Sequence, residues 1–177
     1  MTRVVALSAL ILATVAVSFA SAATHDNRAM RETSCSGRQL AGTFNVVRGS
    51  AGAGNIVYAL VLKNVSTSTC HLTGLPLGRL LDKNGKPLPT HVKAAFPGAL
   101  AAPIARLKPG MTTRATARFS PDVPGVGEPT AGKQCEPTAY WFRVAAQGGG
   151  TTKVRMRPAT PVCEHGQLQF SAYSAAR

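Results

Sequence analysis

Four cysteines, four histidines and seven carboxylates are the side chains with most scope for chemistry. The cysteines are Cys35, Cys70, Cys135 and Cys163, and no two of them form a C-x-x-C. Their spacing is far wider than that of zinc-ligand pairs. An even number of widely spaced cysteines in an exported chain reads as a disulfide framework. Oxidised sulfur is a poor ligand, so Cys70-His71 and Cys163-Glu164-His165 are not read as metal centres, and no metal or cofactor is expected. Four cysteines allow three pairings. The expected one is Cys35–Cys70 with Cys135–Cys163: the first bond ties the domain entrance to the end of a central strand, and the second closes the segment with the aromatic and basic strands.

The carboxylates never fall as a close sequence pair, and neither G-x-S-x-G nor H-E-x-x-H occurs. Gly49 to Gly54 lacks the G-K-[ST] of a phosphate loop and reads as a hairpin loop. His25, His71, His91 and His165 each read as exposed or structural. No catalytic residue is assigned. A secreted hydrolase remains the competing hypothesis. A deep pocket holding Asp122, Glu128 or Glu136 beside a histidine would favour it.

The compartment follows from the first 22 residues, which read as a signal peptide. Arg3 gives the positive start, Val4 to Val17 is apolar but for Ser8 and Thr14, and Ala20-Ser21-Ala22 fits a peptidase site. The apolar run is shorter than the roughly 20 residues that span a bilayer, so no transmembrane anchor is expected. The polar approach to Cys35 argues against a lipid anchor. Removing 22 of the 177 residues leaves 155, about one domain's worth of chain. Residues 23–34 read as a flexible leader and 35–177 as the domain. The export removes only Arg3 from 20 Lys and Arg and none of the 7 acids, so the mature charge is 19 minus 7, or +12.

The body is a series of short β-type runs cut by Gly and Pro. Strands are expected over Thr43–Arg48, Asn55–Lys63, Cys70–Leu75, Gly78–Leu81, Pro87–Lys93, Met111–Phe119, Thr138–Ala146, Thr151–Arg157 and Gln167–Tyr173. Asn55–Lys63 is apolar on both faces and reads as central. Asn84-Gly85 offers the positive φ of a tight hairpin, with Pro87–Lys93 as an edge return strand. Ala94–Ala102 and the Pro-rich Ser120–Gln134 read as loops. The architecture expected is all-β: an antiparallel two-sheet immunoglobulin-like sandwich with two disulfides.

Several short stretches resemble a known family. Leu62-Lys63-Asn64-Val65-Ser66, then Cys70-His71-Leu72-Thr73-Gly74-Leu75-Pro76, then Arg79-Leu80-Leu81-Asp82 with Gly85, resemble the pattern of domain of unknown function 4232. Leu107-Lys108-Pro109-Gly110 and Cys163 with Gly166-Gln167-Leu168 fit it too, so the likeness runs from Cys35 to Tyr173. The resemblance implies a secreted immunoglobulin-like β-sandwich, of a kind found in exported proteins and lipoproteins, mostly actinobacterial. It implies no activity and brings no catalytic residues. Asn64 and Ser66 also have a purely physical reading, as a turn closed by side-chain hydrogen bonds.

The charge is the one feature that points outward. Strand alternation puts Arg114 and Arg118 on one face of their strand, and Lys153, Arg155 and Arg157 on one face of theirs, with Val154 and Met156 opposite. These five are the candidate anion-binding residues; the plain alternative is a solvated face that keeps the protein soluble. The partner expected is an anionic envelope polymer or an acidic protein. Nucleic acid is not expected, because aromatics are few and export removes the chain from it. The sequence does not fix the oligomeric state. Secreted material is expected to begin at Ala23 and to need no detergent; N-terminal sequencing that finds Met1 on membrane-bound protein overturns this.

Overall fold

The computed structural model describes residues 33–98, 103–130 and 133–174. The expected signal peptide, and the leader up to residue 32, lie outside the described residues. Among those described, no helix is long and apolar enough to cross a membrane.

The alternating runs form ten strands: β1 (Leu40–Val46), β2 (Ile56–Asn64), β3 (Cys70–Leu72), β4 (Leu77–Leu81), β5 (His91–Ala94), β6 (Ala105–Leu107), β7 (Thr112–Phe119), β8 (Ala139–Ala145), β9 (Thr151–Thr160) and β10 (Gln167–Phe170). β2 is central, as its two apolar faces predict: Tyr58, Leu60 and Leu62 are buried, and Val57, Ala59 and Val61 are half-buried on the other side. Eight strands hydrogen-bond in the order β4-β8-β9-β1-β2-β7-β10-β5, and β3 pairs with β6 separately.

The expectation of a wholly antiparallel arrangement needs correcting, because β1 runs parallel to β9 and β5 parallel to β10. A tight turn forces its two strands to be antiparallel. Neither of these pairs is joined by a turn, so nothing local dictates their direction. The return strand expected over Pro87–Lys93 also differs. The turn itself forms, with Gly85 at φ 84° and its N–H donating to the Asp82 carbonyl. The ladder then stops after one bridge, Leu81 to Pro87. Pro87 and Pro89 have no N–H to donate, and the chain leaves to build β5 on β10.

This crossing curls the sheet. β4 and β5 are its two ends, yet only residues 82–90 join them. In a flat sheet the eight strands would hold those ends about 34 Å apart. Instead the connecting segment lies against β4: the Leu88 N–H donates to the Leu80 carbonyl and the Leu80 N–H to Thr90 Oγ1, both at 2.9 Å. The interior tells the same story. The Phe142 ring on β8 lies 5.5 Å from that of Phe170 on β10, and Phe44 on β1 touches both as well as Tyr58. The result is an all-β, nearly barrel-like fold built on a mostly antiparallel, mixed sheet. Gly166 closes one end. Its φ is 77°, and a Cβ there would stand 1.9 Å from the Pro89 carbonyl oxygen, so no other residue fits.

The disulfides are Cys35–Cys70 and Cys135–Cys163, the pairing expected from the sequence. By loop entropy each stabilises by roughly 3–4 kcal/mol. Asn64, the last residue of β2, is a fully buried polar side chain. Its Nδ2 donates to the carbonyls of Ser68 (2.7 Å) and Leu107 (2.9 Å), and its Oδ1 accepts from the N–H and Oγ of Ser66. Asn64 thus closes the turn after β2 and fastens it to the end of β6. An Asn64→Ala variant takes the buried side-chain donor from the Leu107 carbonyl and the acceptor from the Ser66 N–H, while the Ser68 carbonyl keeps Ser66 Oγ. It should lose about 2–4 kcal/mol of stability, read as a lower urea midpoint with an unchanged m-value.

Candidate anion-binding face

The β8–β9 hairpin sorts its side chains by alternation. Phe142, Val144, Val154 and Met156 are buried, while Lys153, Arg155 and Arg157 are exposed and Trp141 and Arg143 are half-buried on the outer face. Register then fixes who stands beside whom. Arg143 is opposite Lys153 on one side and opposite Arg79 of β4 on the other, so three cations stand abreast across three adjacent strands. Trp141 is opposite Arg155 in the next outward-facing row. Its ring lies beneath Lys153 Nζ, 4.6 Å from the centroid, and near the Arg155 guanidinium at 5.7 Å. The ring quadrupole attracts both cations and holds them over the hairpin.

Directly opposed like charges destabilise a sheet. No carboxylate of the described residues offsets them here. Among the described residues the ion pairs to carboxylates are those of His165, and no carboxylate lies within ion-pairing distance of this face. Arg114 and Arg118 also point outward, from β7. They share the hydrogen-bonded sheet with β9, but β1 and β2 lie between, and the sheet curls through them. The five cations expected to form one face are therefore divided. Lys153, Arg155 and Arg157 stand with Arg79, Arg143 and Trp141. Arg114 and Arg118 occupy a separate flank, beside an open groove of about 410 Å³ whose lining includes Val61, Thr116, Ser171 and Ser174. No carboxylate or histidine lines that groove.

The match to a family model decides what this chain is related to: the model described as Domain of unknown function (DUF4232) matches residues 35–174. The chain belongs to the DUF4232 family. The match takes in both disulfides, all ten strands and every residue of the basic face. No curated protein and no solved structure gives a significant match.

The DUF4232 domain also assembles a second group of polar side chains. Glu128 and Glu136, two of the three acids that the hydrolase hypothesis named, converge with His165, which the sequence reads as exposed or structural, beside the Cys135–Cys163 bond. Glu128 is buried and accepts the backbone N–H groups of Gly125 (2.6 Å), Glu164 (2.9 Å) and His165. The latter two residues hold left-handed φ of 56°, which turns both N–H groups toward the carboxylate. Burial pushes the Glu128 carboxyl up, but the three N–H bonds and His165 outweigh it and hold the pKa below the ordinary value. Burial and the neighbouring Glu128 push Glu136 up. Asp122 is exposed outside the cluster, His91 is exposed on β5, and His71 meets Ser34 Oγ at 3.2 Å. His25 lies outside the described residues.

The opposed cations make a direct prediction. Arg143→Gln removes the middle charge of the Arg79–Arg143–Lys153 row while keeping the stem that packs on the sheet. Stability should rise by about 0.2–1 kcal/mol in low salt. The gain should shrink in 0.5 M salt. Thermal unfolding of both proteins at the two salt concentrations checks it.

Proposed function

We propose that this domain is an exported binding module of the cell envelope or extracellular space, and that its β4–β8–β9 face docks anionic polymers. The observation that carries the reading is the row Arg79–Arg143–Lys153, three cations abreast with no carboxylate of the described residues paired to them. A solubility surface gains nothing from placing like charges opposite one another, whereas a chain of phosphates or carboxylates laid across three strands would neutralise all three. Arg155 and Arg157 extend the row along β9, and arginine adds forked contacts that lysine cannot make. Trp141 keeps two of the cations in place. We further read the curled sheet as an immunoglobulin-like sandwich, with β4, β8 and β9 as one layer, β2, β7, β10 and β5 as the other, and β1 as the seam. The packing of Phe142 against Phe170 across the interior supports it. A secreted hydrolase built on Glu128, Glu136 and His165 is the second reading. It draws on their convergence, but Glu128 is already engaged by three backbone N–H groups and the cluster opens at the surface rather than in a deep pocket.

The test uses polyphosphate and polyglutamate as phosphate and carboxylate probes, with uncharged dextran as the control. Trp141 is the only tryptophan, so its fluorescence reports on this face. Binding of at least one polyanion should change that emission and should weaken steeply with salt, because exposed charges are screened beyond about 8 Å at physiological ionic strength. Replacing Arg79, Arg143, Lys153, Arg155 and Arg157 together by Gln should weaken binding at least tenfold. Replacing only Arg114 and Arg118 should leave most of it. Equal binding by wild type and five-fold variant, or binding indifferent to salt, returns the face to a solubility role.

A further inference from the structure

The cluster beside the Cys135–Cys163 bond aims three donor side chains at one point. His165 Nε2 lies 3.0 Å from the Val126 carbonyl oxygen. A carbonyl can only accept, so Nε2 carries the proton. In the neutral ring Nδ1 is then a lone pair. It faces Glu136 Oε1 at 3.5 Å and Glu128 Oε1 at 3.6 Å. Three electron-rich atoms thus converge, all within 4.8 Å of one another. They repel unless a proton or a metal cation sits among them.

The separations admit two kinds of positive charge. A proton on Nδ1 would make an ion pair with both carboxylates at these distances, longer than the roughly 2.7–2.9 Å of a short charged hydrogen bond. Two ligands each about 2.0–2.1 Å from a tetrahedral zinc ion stand roughly 3.3–3.4 Å apart. The observed 3.5 and 3.6 Å fall near that spacing.

The donor inventory agrees. Glu128 Oε2 accepts two N–H groups and Oε1 accepts one. Of about four lone-pair sites on a carboxylate, one remains, and it is on the oxygen that faces His165. The bond from His165 Nε2 to a backbone carbonyl is the outer-sphere contact that metal-bound histidines make, because it fixes the tautomer and aims the other nitrogen. Glu136 adjoins Cys135 and His165 lies two residues past Cys163, so the disulfide holds two of the three ligands together. Both cysteines are oxidised and leave the site to nitrogen and oxygen donors. His165 is half exposed, its side chain at 53%, which leaves an approach from solvent.

We propose that Glu128, Glu136 and His165 bind a divalent cation of the borderline class that zinc represents, with the remaining coordination open to water. Mixed nitrogen and oxygen donors suit zinc better than calcium or magnesium, which take oxygen alone. The site stands apart from the basic face and does not depend on its role.

The test is a zinc titration by calorimetry on the untagged, disulfide-intact protein, stripped with a chelator and dialysed, at pH 7.5. One zinc per chain is expected, with a matching rise in the thermal midpoint. His165→Ala and Glu136→Gln should each weaken binding at least tenfold. His165 is half exposed and Glu136→Gln keeps the side chain's shape, so neither change empties the core, and circular dichroism with a free-thiol assay checks that each variant keeps its fold and disulfides. Absence of saturable zinc uptake by the wild type overturns the proposal. So does uptake that persists unchanged in both folded variants, which would place the metal elsewhere on the chain.

Discussion

The whole domain hangs on the way one sheet closes over its own aromatic interior, and β1 is where that closure is made. Phe44 pairs antiparallel with Leu60 on one side and parallel with Met156 on the other, and its ring packs against Tyr58, Phe142 and Phe170. β1 therefore joins the β4-β8-β9 side to the rest both by backbone hydrogen bonds and by its side chain. The approach is close. A Cβ on Gly42 would stand 2.3 Å from the Val61 carbonyl oxygen. Slipping β1 by one residue would turn Phe44 outward and take the central ring out of the interior.

The same alternation that fills the interior dictates where charge can go. Each inward Val or Met of β9 sends a Lys or Arg outward, and register rather than sequence distance then decides that Lys153 meets Arg143 and Arg143 meets Arg79. The Glu128–Glu136–His165 cluster has a different origin. It is made by loops, held by a disulfide and by N–H groups from a left-handed turn. One site is thus a property of the sheet face and the other of a stapled corner.

What the sequence disclosed follows this division. Alternation located β2, β7, β8 and β9 to within a few residues and aimed every cation of β7 and β9 correctly to solvent, because these depend only on neighbours along the chain. The cysteine pairing was also legible, since each bond closes a segment that folds as a unit. The parallel partners of β1 and β5 were not, because direction across a long connection leaves no local mark. β6 is three residues long and carries too short a pattern to stand out beside a Pro-rich loop. Arg143 and Arg79 were missed for want of register. The signal existed: Arg143 is out of phase with Phe142, so it had to face outward on the hairpin that the triple glycine closes. The meeting of Glu128 with His165 left no signal at all, since it depends on two consecutive left-handed residues, neither of them glycine.

The two disulfides also decide how the domain would carry mechanical load. A pull applied at Ser34 and Ser174 travels from Cys35 directly to Cys70, and from Cys135 directly to Cys163. β1 and β2 lie inside the first covalent ring, and β8 and β9 inside the second. These four adjacent strands therefore carry no tension along their own backbone. Extension would first peel β3 to β7 and β10, and the seam that encloses the aromatic interior would stay shielded until a sulfur–sulfur bond is reduced.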